Sequence, residues 1–219
     1  MINMPKDYAN IPVNNYEPAE AGGHKATIMK VDETTSKNGL QMLVIYFDFD
    51  ENDKQPNYYM KKYEADKKSP DREEKWRGVM YLVVDQGTNY GPSNLKRFVT
   101  AVEDSNPGFQ VAWGQNFCGC LAGRKVGIVF RIEEYIQSDH QLGAAAKPFR
   151  FCAYDKAFEQ KIPNRKCLPE NEKPQTSAVP PFGQMSFGNP APAANPAATA
   201  EGFMNTQYDP VNDEGLPFG

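Results

Sequence analysis

The sequence predicts a mainly β protein: a small closed or partly open barrel of five or six short strands with one short helix, followed by a disordered C-terminal tail. Three observations carry this. Several short segments of strand-like alternation are separated by turn residues, only one segment has helical periodicity, and the composition changes after residue 170. Hydrophobic residues make up 40% of the 219 and mean hydropathy is -0.66, too polar for one compact globule along the whole length.

Residues 1–21 are polar, with prolines at 5, 12 and 18, and read as an N-terminal arm. His24 to Glu33 is the first expected strand. Ser36-Lys37-Asn38-Gly39 is an Asn-Gly hairpin turn, because both residues tolerate positive φ. Leu40 to Phe49 is apolar on both faces and is expected to be a central strand. Residues 50–56 form a polar loop. Tyr58 to Tyr63 is expected to be a third strand, and Lys67 to Trp76 a charged excursion. Gly78 to Asp85 is a strand built on Val79, Tyr81 and Val83.

Ser93 can cap a helix whose apolar face is Leu95, Phe98, Val99 and Val102, with Asn106-Pro107-Gly108 as its stop. Lys125 to Glu133 alternates, with Val126, Ile128, Phe130 and Ile132 inward. Lys147 to Tyr154 is the last expected strand. The domain is therefore expected over 22–169. Residues 170–208 are a Pro/Ala/Asn-rich linker that cannot offset its ordering entropy, and 209–219 form an acidic tip.

The net charge of -4 is unevenly spread. Past residue 170 stand Lys173 and five acids, Glu172, Glu201, Asp209, Asp213 and Glu214. Residues 1–170 are thus neutral, and an acidic tail can fold back on a basic groove or serve as a peptide ligand. No apolar run approaches the length of a spanning helix. The opening Met-Ile-Asn-Met-Pro-Lys-Asp has no secretory character, which predicts a cytoplasmic protein.

No enzyme is expected. The chain has no phosphate-binding loop and no nucleophile elbow, and its two histidines, His24 and His140, have no evident partners. Cys118, Cys120, Cys152 and Cys167 lack the spacing of paired zinc knuckles and are expected to be reduced thiols. Asp48, Asp50, Glu51 and Asp53 could hold a divalent cation, but at a strand end and loop they are expected to be solvated. No metal or cofactor is expected.

The informative pattern is basic residues interleaved with aromatics. Cations neutralise phosphates and release counterions, while rings stack on unpaired bases without reading sequence. Lys61, Lys62, Lys67, Lys68, Arg72, Lys75 and Arg77 are the expected phosphate contacts, and Tyr58, Tyr59, Tyr63 and Trp76 the expected stacking rings. Further pairs follow at Tyr81, at Lys96-Arg97-Phe98, at Phe130-Arg131 and at Phe149-Arg150-Phe151.

Two stretches carry a resemblance. The tip, with Asp209, Asp213 and Glu214 before Leu216-Pro217-Phe218, resembles the C-terminus of bacterial single-stranded DNA-binding proteins, although Gly219 follows the Phe. The body resembles phage-encoded single-stranded DNA-binding proteins at the Ser-Lys-Asn-Gly turn between two strands, at Ser93-Asn94-Leu95-Lys96-Arg97-Phe98 and at Leu121-Ala122-Gly123-Arg124-Lys125-Val126-Gly127. This resemblance spans about residues 22–155. It implies an OB-like barrel that binds single-stranded DNA largely without sequence preference. Its setting would be phage DNA replication, recombination and repair, in the cytoplasm of an infected bacterium. It also implies a tip in which Asp213, Glu214, Leu216, Pro217 and Phe218 dock onto replication or recombination enzymes. The alternative is a protein–protein adaptor that uses the acidic tail as a peptide ligand and binds no nucleic acid.

Overall fold

The computed structural model describes residues 17–69 and 72–174. Most of the expected arm, the linker beyond 174 and the acidic tip, including Asp213, Glu214, Leu216, Pro217 and Phe218, lie outside the described residues. Five strands form one open antiparallel sheet: β1 (Gly22–Thr35), β2 (Gln41–Phe49), β3 (Val79–Val83), β4 (Lys125–Ile136) and β5 (Leu142–Cys152). Their order is β3-β2-β1-β4-β5. Between them stand three helices, α1 (Tyr58–Lys67), α2 (Gly91–Ser105) and α3 (Phe117–Leu121).

β1 organises the sheet. Its first half pairs with β4 from Gly22 opposite Phe130 to Thr27 opposite Lys125, while β2 runs along it from Ala26 to Thr35. A register shift between Ile28 and Lys30 bends it where these two partners diverge. The hairpin to β2 closes at the expected turn. Gly39 takes φ +78° and donates its N–H to the Ser36 carbonyl, and the Ser36 hydroxyl accepts from Leu40 N–H. β2 is buried on both faces, as its unbroken apolar run requires.

The core fills one side of the sheet. Phe47, Phe49 and Phe130 pack edge to face with centroids 5.3 to 6.4 Å apart, except that Phe47 and Phe49 lie nearly parallel. Phe98, Val99, Ala101 and Val102 of α2 and Phe117 and Leu121 of α3 complete it. On the other face a short 3-10 turn, Tyr154–Glu159, lies directly on β1. A Cβ at Gly23 would stand 1.7 Å from the Ala157 carbonyl oxygen, so only glycine admits that approach.

Three expectations need correction. The expected third strand, Tyr58 to Tyr63, is the first half of α1. Tyr59, Tyr63 and Asp66 recur at i, i+4 and i+7 and are all buried, which is a helical face. The helix starts on a cap from far away: the Asp48 carboxylate, at the end of β2, accepts the N–H groups of Tyr59 (2.8 Å) and Met60 (3.1 Å). Second, α2 begins at Gly91 with Pro92 in its first turn, and Ser93 makes no capping hydrogen bond. The Thr88 hydroxyl accepts Gly91 N–H instead. Third, α3 occupies a stretch for which no element was expected; Phe117 and Leu121 place their side chains in the core one turn apart.

The expected solvated acids are also mostly buried. Asp50 accepts hydrogen bonds from Tyr154 Oη (2.7 Å), Thr27 Oγ1 (3.1 Å) and Asn52. Asp53 meets His24 Nδ1 (2.9 Å) and accepts Lys25 N–H (2.7 Å). His24 is itself buried, stacked on Phe49 with centroids 4.1 Å apart, and its Nε2 lies 3.1 Å from the Glu20 carbonyl. Glu51 alone of the four acids is exposed. Among the described residues no helix is long and apolar enough to cross a membrane.

Candidate nucleic-acid interface

The 58–77 stretch divides between core and surface. Tyr59, Tyr63 and Trp76 are 7%, 4% and 2% exposed, so none presents a ring face to solvent. Trp76 Nε1 donates to the Gly78 carbonyl. Tyr58 is half-buried against Phe49 and Tyr59. Arg72 and Arg77 converge on the buried Asp66 carboxylate at 3.1 and 3.3 Å. Lys62 is half-buried, and burial, with Arg77 and Arg72 nearby, pulls its ammonium below the usual lysine range. Lys61, Lys67 and Lys68 remain on the surface, Lys75 is half-buried, and Lys67 lies over the Tyr63 ring. The structure thus brings Arg72 and Arg77 together on a structural acid, leaves Lys61, Lys67 and Lys68 on the surface, and sends three of the four rings inward.

A different set of basic and aromatic side chains meets between the two ends of the sheet. The two edge strands, β3 and β5, flank a small cleft closed at its base by α2, lined by Tyr81, Asn94, Arg97, Phe149 and Arg150 among others. Tyr81 and Phe149 are 40% and 38% exposed. Tyr81 stands outward because it pairs with Val44 on the face of β2 away from the core. Phe149 sits at the register shift of β5, where two residues oppose one on β4 and the extra ring is turned out. The Arg131 guanidinium covers Phe149, 4.2 Å from its centroid, and is braced by Glu133.

From this cleft a row of side chains continues along the β4–β5 hairpin. Arg131, Glu133 and Tyr135 alternate onto one face, Lys147 stands opposite Arg131, and its ammonium lies 5.7 Å from the Tyr135 ring. Tyr135 is 39% exposed. On the helix side, Lys96 and Arg97 are exposed and make no ion pair among the described residues. Arg150 donates through Nη2 to Gln160, while its Nε is buried without a partner.

Reading the sequence found Tyr81, Arg97, Arg131, Phe149 and Arg150 as separate pairs but not their convergence, because they come from four segments that only the sheet order joins. Tyr135 was missed, although the outward alternation 131, 133, 135 extends the pattern already read in β4. The cysteines are free: Cys118, Cys120 and Cys152 are half-buried and Cys167 is exposed. Burial pushes the Cys118 and Cys152 thiols up to about 11, away from nucleophile or metal-ligand behaviour. Among the described residues no three His, Cys, Asp or Glu side chains are arranged to hold a metal ion. Comparison with protein-family models gives no match, and a search of curated proteins gives no relative.

Proposed function

We propose that this chain is a non-enzymatic single-stranded DNA-binding protein that holds its strand in the β3–β5 cleft. The carrying observation is the pair of outward rings, Tyr81 and Phe149, on facing sheet edges amid Arg97, Arg131 and Arg150. Rings on such a platform stack on bases of any sequence, and guanidinium groups hold the phosphates between them. The strand order and the position of α2 between β3 and β4 support an OB-like, partly open barrel. In that arrangement the β2–β3 face and the β1–β2 and β4–β5 loops are the usual nucleic-acid surface. The resemblance at the hairpin turn, the α2 segment and the tail supports a role in phage DNA replication, recombination and repair.

The test is titration with oligo-dT and with duplex of equal length, read by tyrosine and Trp113 fluorescence and by gel shift. Trp113 is 65% exposed and Trp76 is in the core, so Trp113 is the useful indole. Tyr81→Ala and Phe149→Ala should each weaken oligo-dT binding by about five- to 150-fold, the equivalent of about 1–3 kcal/mol per stacked base, with a cooperative thermal transition as the check on folding. Unchanged affinity in both variants would overturn the platform. Failure of the wild-type chain to bind any single strand would overturn the function and leave the adaptor reading.

A further inference from the structure

Beyond the cleft, three lysine ammonium groups converge on two aromatic rings. Lys25 Nζ lies 4.7 Å from the Tyr154 centroid and 5.1 Å from that of Phe158. Lys125 approaches Tyr154 at 5.1 Å and Lys54 approaches Phe158 at 5.2 Å. None of the three makes an ion pair among the described residues. The nearby Asp50 spends its oxygens on Tyr154, Thr27 and Asn52. Ring faces attract ammonium groups but carry no net charge, so the three lysines keep their ammonium groups out of ion pairs beside the Asp50 carboxylate. Phe158 is 42% exposed, so part of its ring meets solvent beside the cations.

The patch is joined to the cleft. A groove of about 420 Å³ between α2 and β5 starts at Arg97, which also lines the cleft, and ends at Cys152 and Ala153. Tyr154 follows directly, its N–H held by the Ser105 hydroxyl at the end of α2. Asn106, the next residue, binds both the N–H and the carbonyl of Lys125.

We propose that Lys25, Lys54 and Lys125 form a second phosphate-holding subsite, which takes the backbone of a strand leaving the β3–β5 cleft along the α2–β5 groove, with Phe158 as a further stacking face. This rests on the single-strand-binding reading above. It makes the footprint longer than the cleft alone and gives short and long strands different salt responses.

The experiment uses the full chain, oligo-dT of about 5 and about 16 nucleotides, and the triple variant Lys25→Gln, Lys54→Gln, Lys125→Gln. The variant should bind the short strand like wild type and the long strand more weakly. Losing three phosphate contacts lowers the log–log salt slope by about 2. Between 50 and 200 mM salt the wild type should therefore lose about 18-fold more affinity for the long strand than the variant does. The exposed single variant Lys54→Glu, with Tm as the check on folding, should shift the long strand in the same direction. Equal salt slopes for wild type and variant on the long strand would overturn the subsite while leaving the cleft intact. So would an equal loss on both lengths. Absence of binding by the wild type at either length would overturn both this subsite and the function it rests on.

Discussion

At the scale of single residues, the acids at the end of β2 and just after it tie stability to pH. Burial pushes the Asp50 carboxyl up, but hydrogen bonds from Tyr154, Asn52 and Thr27 outweigh it and bring it down to about 2, from an ordinary 3.8. Its folded value is the lower one, so its contribution is complete above about pH 4 and is lost as pH falls through about 2. Asp48 acts in the opposite sense. Burial raises its carboxyl despite the N–H groups of Tyr59, Phe49 and Met60, so acidification toward 3.8 relieves a cost. Tyr154→Phe keeps the ring that Lys25 and Lys125 cover and removes only the hydroxyl donor to Asp50. It should cost about 1.5–3 kcal/mol at neutral pH. The gap from wild type should narrow on approaching about pH 2, as urea unfolding at stepped pH would register. Parallel stability curves for the two proteins would show that this hydrogen bond does not set the acid limb.

At the scale of elements, α1 shows how a charged stretch can be structural. Asp66 is 1% exposed and holds two arginines that each keep over 40% of their side-chain surface in water. Removing one leaves the other, so Arg77→Gln should cost only about 1 kcal/mol. Removing both strands a buried carboxylate, and Arg72→Gln with Arg77→Gln should cost about 3 kcal/mol. Oligo-dT affinity should stay within about twofold in the double variant, because its stacking platform lies at the β3–β5 edges. A tenfold loss of affinity at unchanged Tm would return the DNA site to α1 and the segment after it.

At the scale of the whole molecule, charge distribution is the governing feature. On the proposed reading, the four net negative charges carried past residue 170 compete with DNA for the basic cleft. A fragment of residues 1–174 keeps the contacts described for the C-terminal segment: Lys166 bridges to β4 through Ile132 and Glu134, and Leu168 N–H donates to the Glu134 carboxylate. This fragment should bind oligo-dT at least as tightly as the full chain, with the difference shrinking as salt rises. Weaker binding by the fragment would remove self-competition from the account.

The β-rich class, the Asn-Gly hairpin, the doubly buried β2 and the amphipathic face of α2 were legible in the sequence, because each rests on periodicity or turn chemistry within about ten neighbouring residues. The segment 58–63 was not, because Tyr-Tyr-Met-Lys-Lys-Tyr fits both periods. What decides it is a carboxylate ten residues upstream, brought to the helix start only once β2 has turned. The fate of the acids was hidden for the same reason: the partners of Asp50 and Asp53 include Tyr154, from the 3-10 turn after β5, and His24, from β1. The candidate interface was half legible. Local composition marked its pairs of cations and rings, which is all that neighbouring residues can encode. Which rings turn outward, and that β3 and β5 face each other across α2, followed from strand order and one register shift, which only tertiary packing decides.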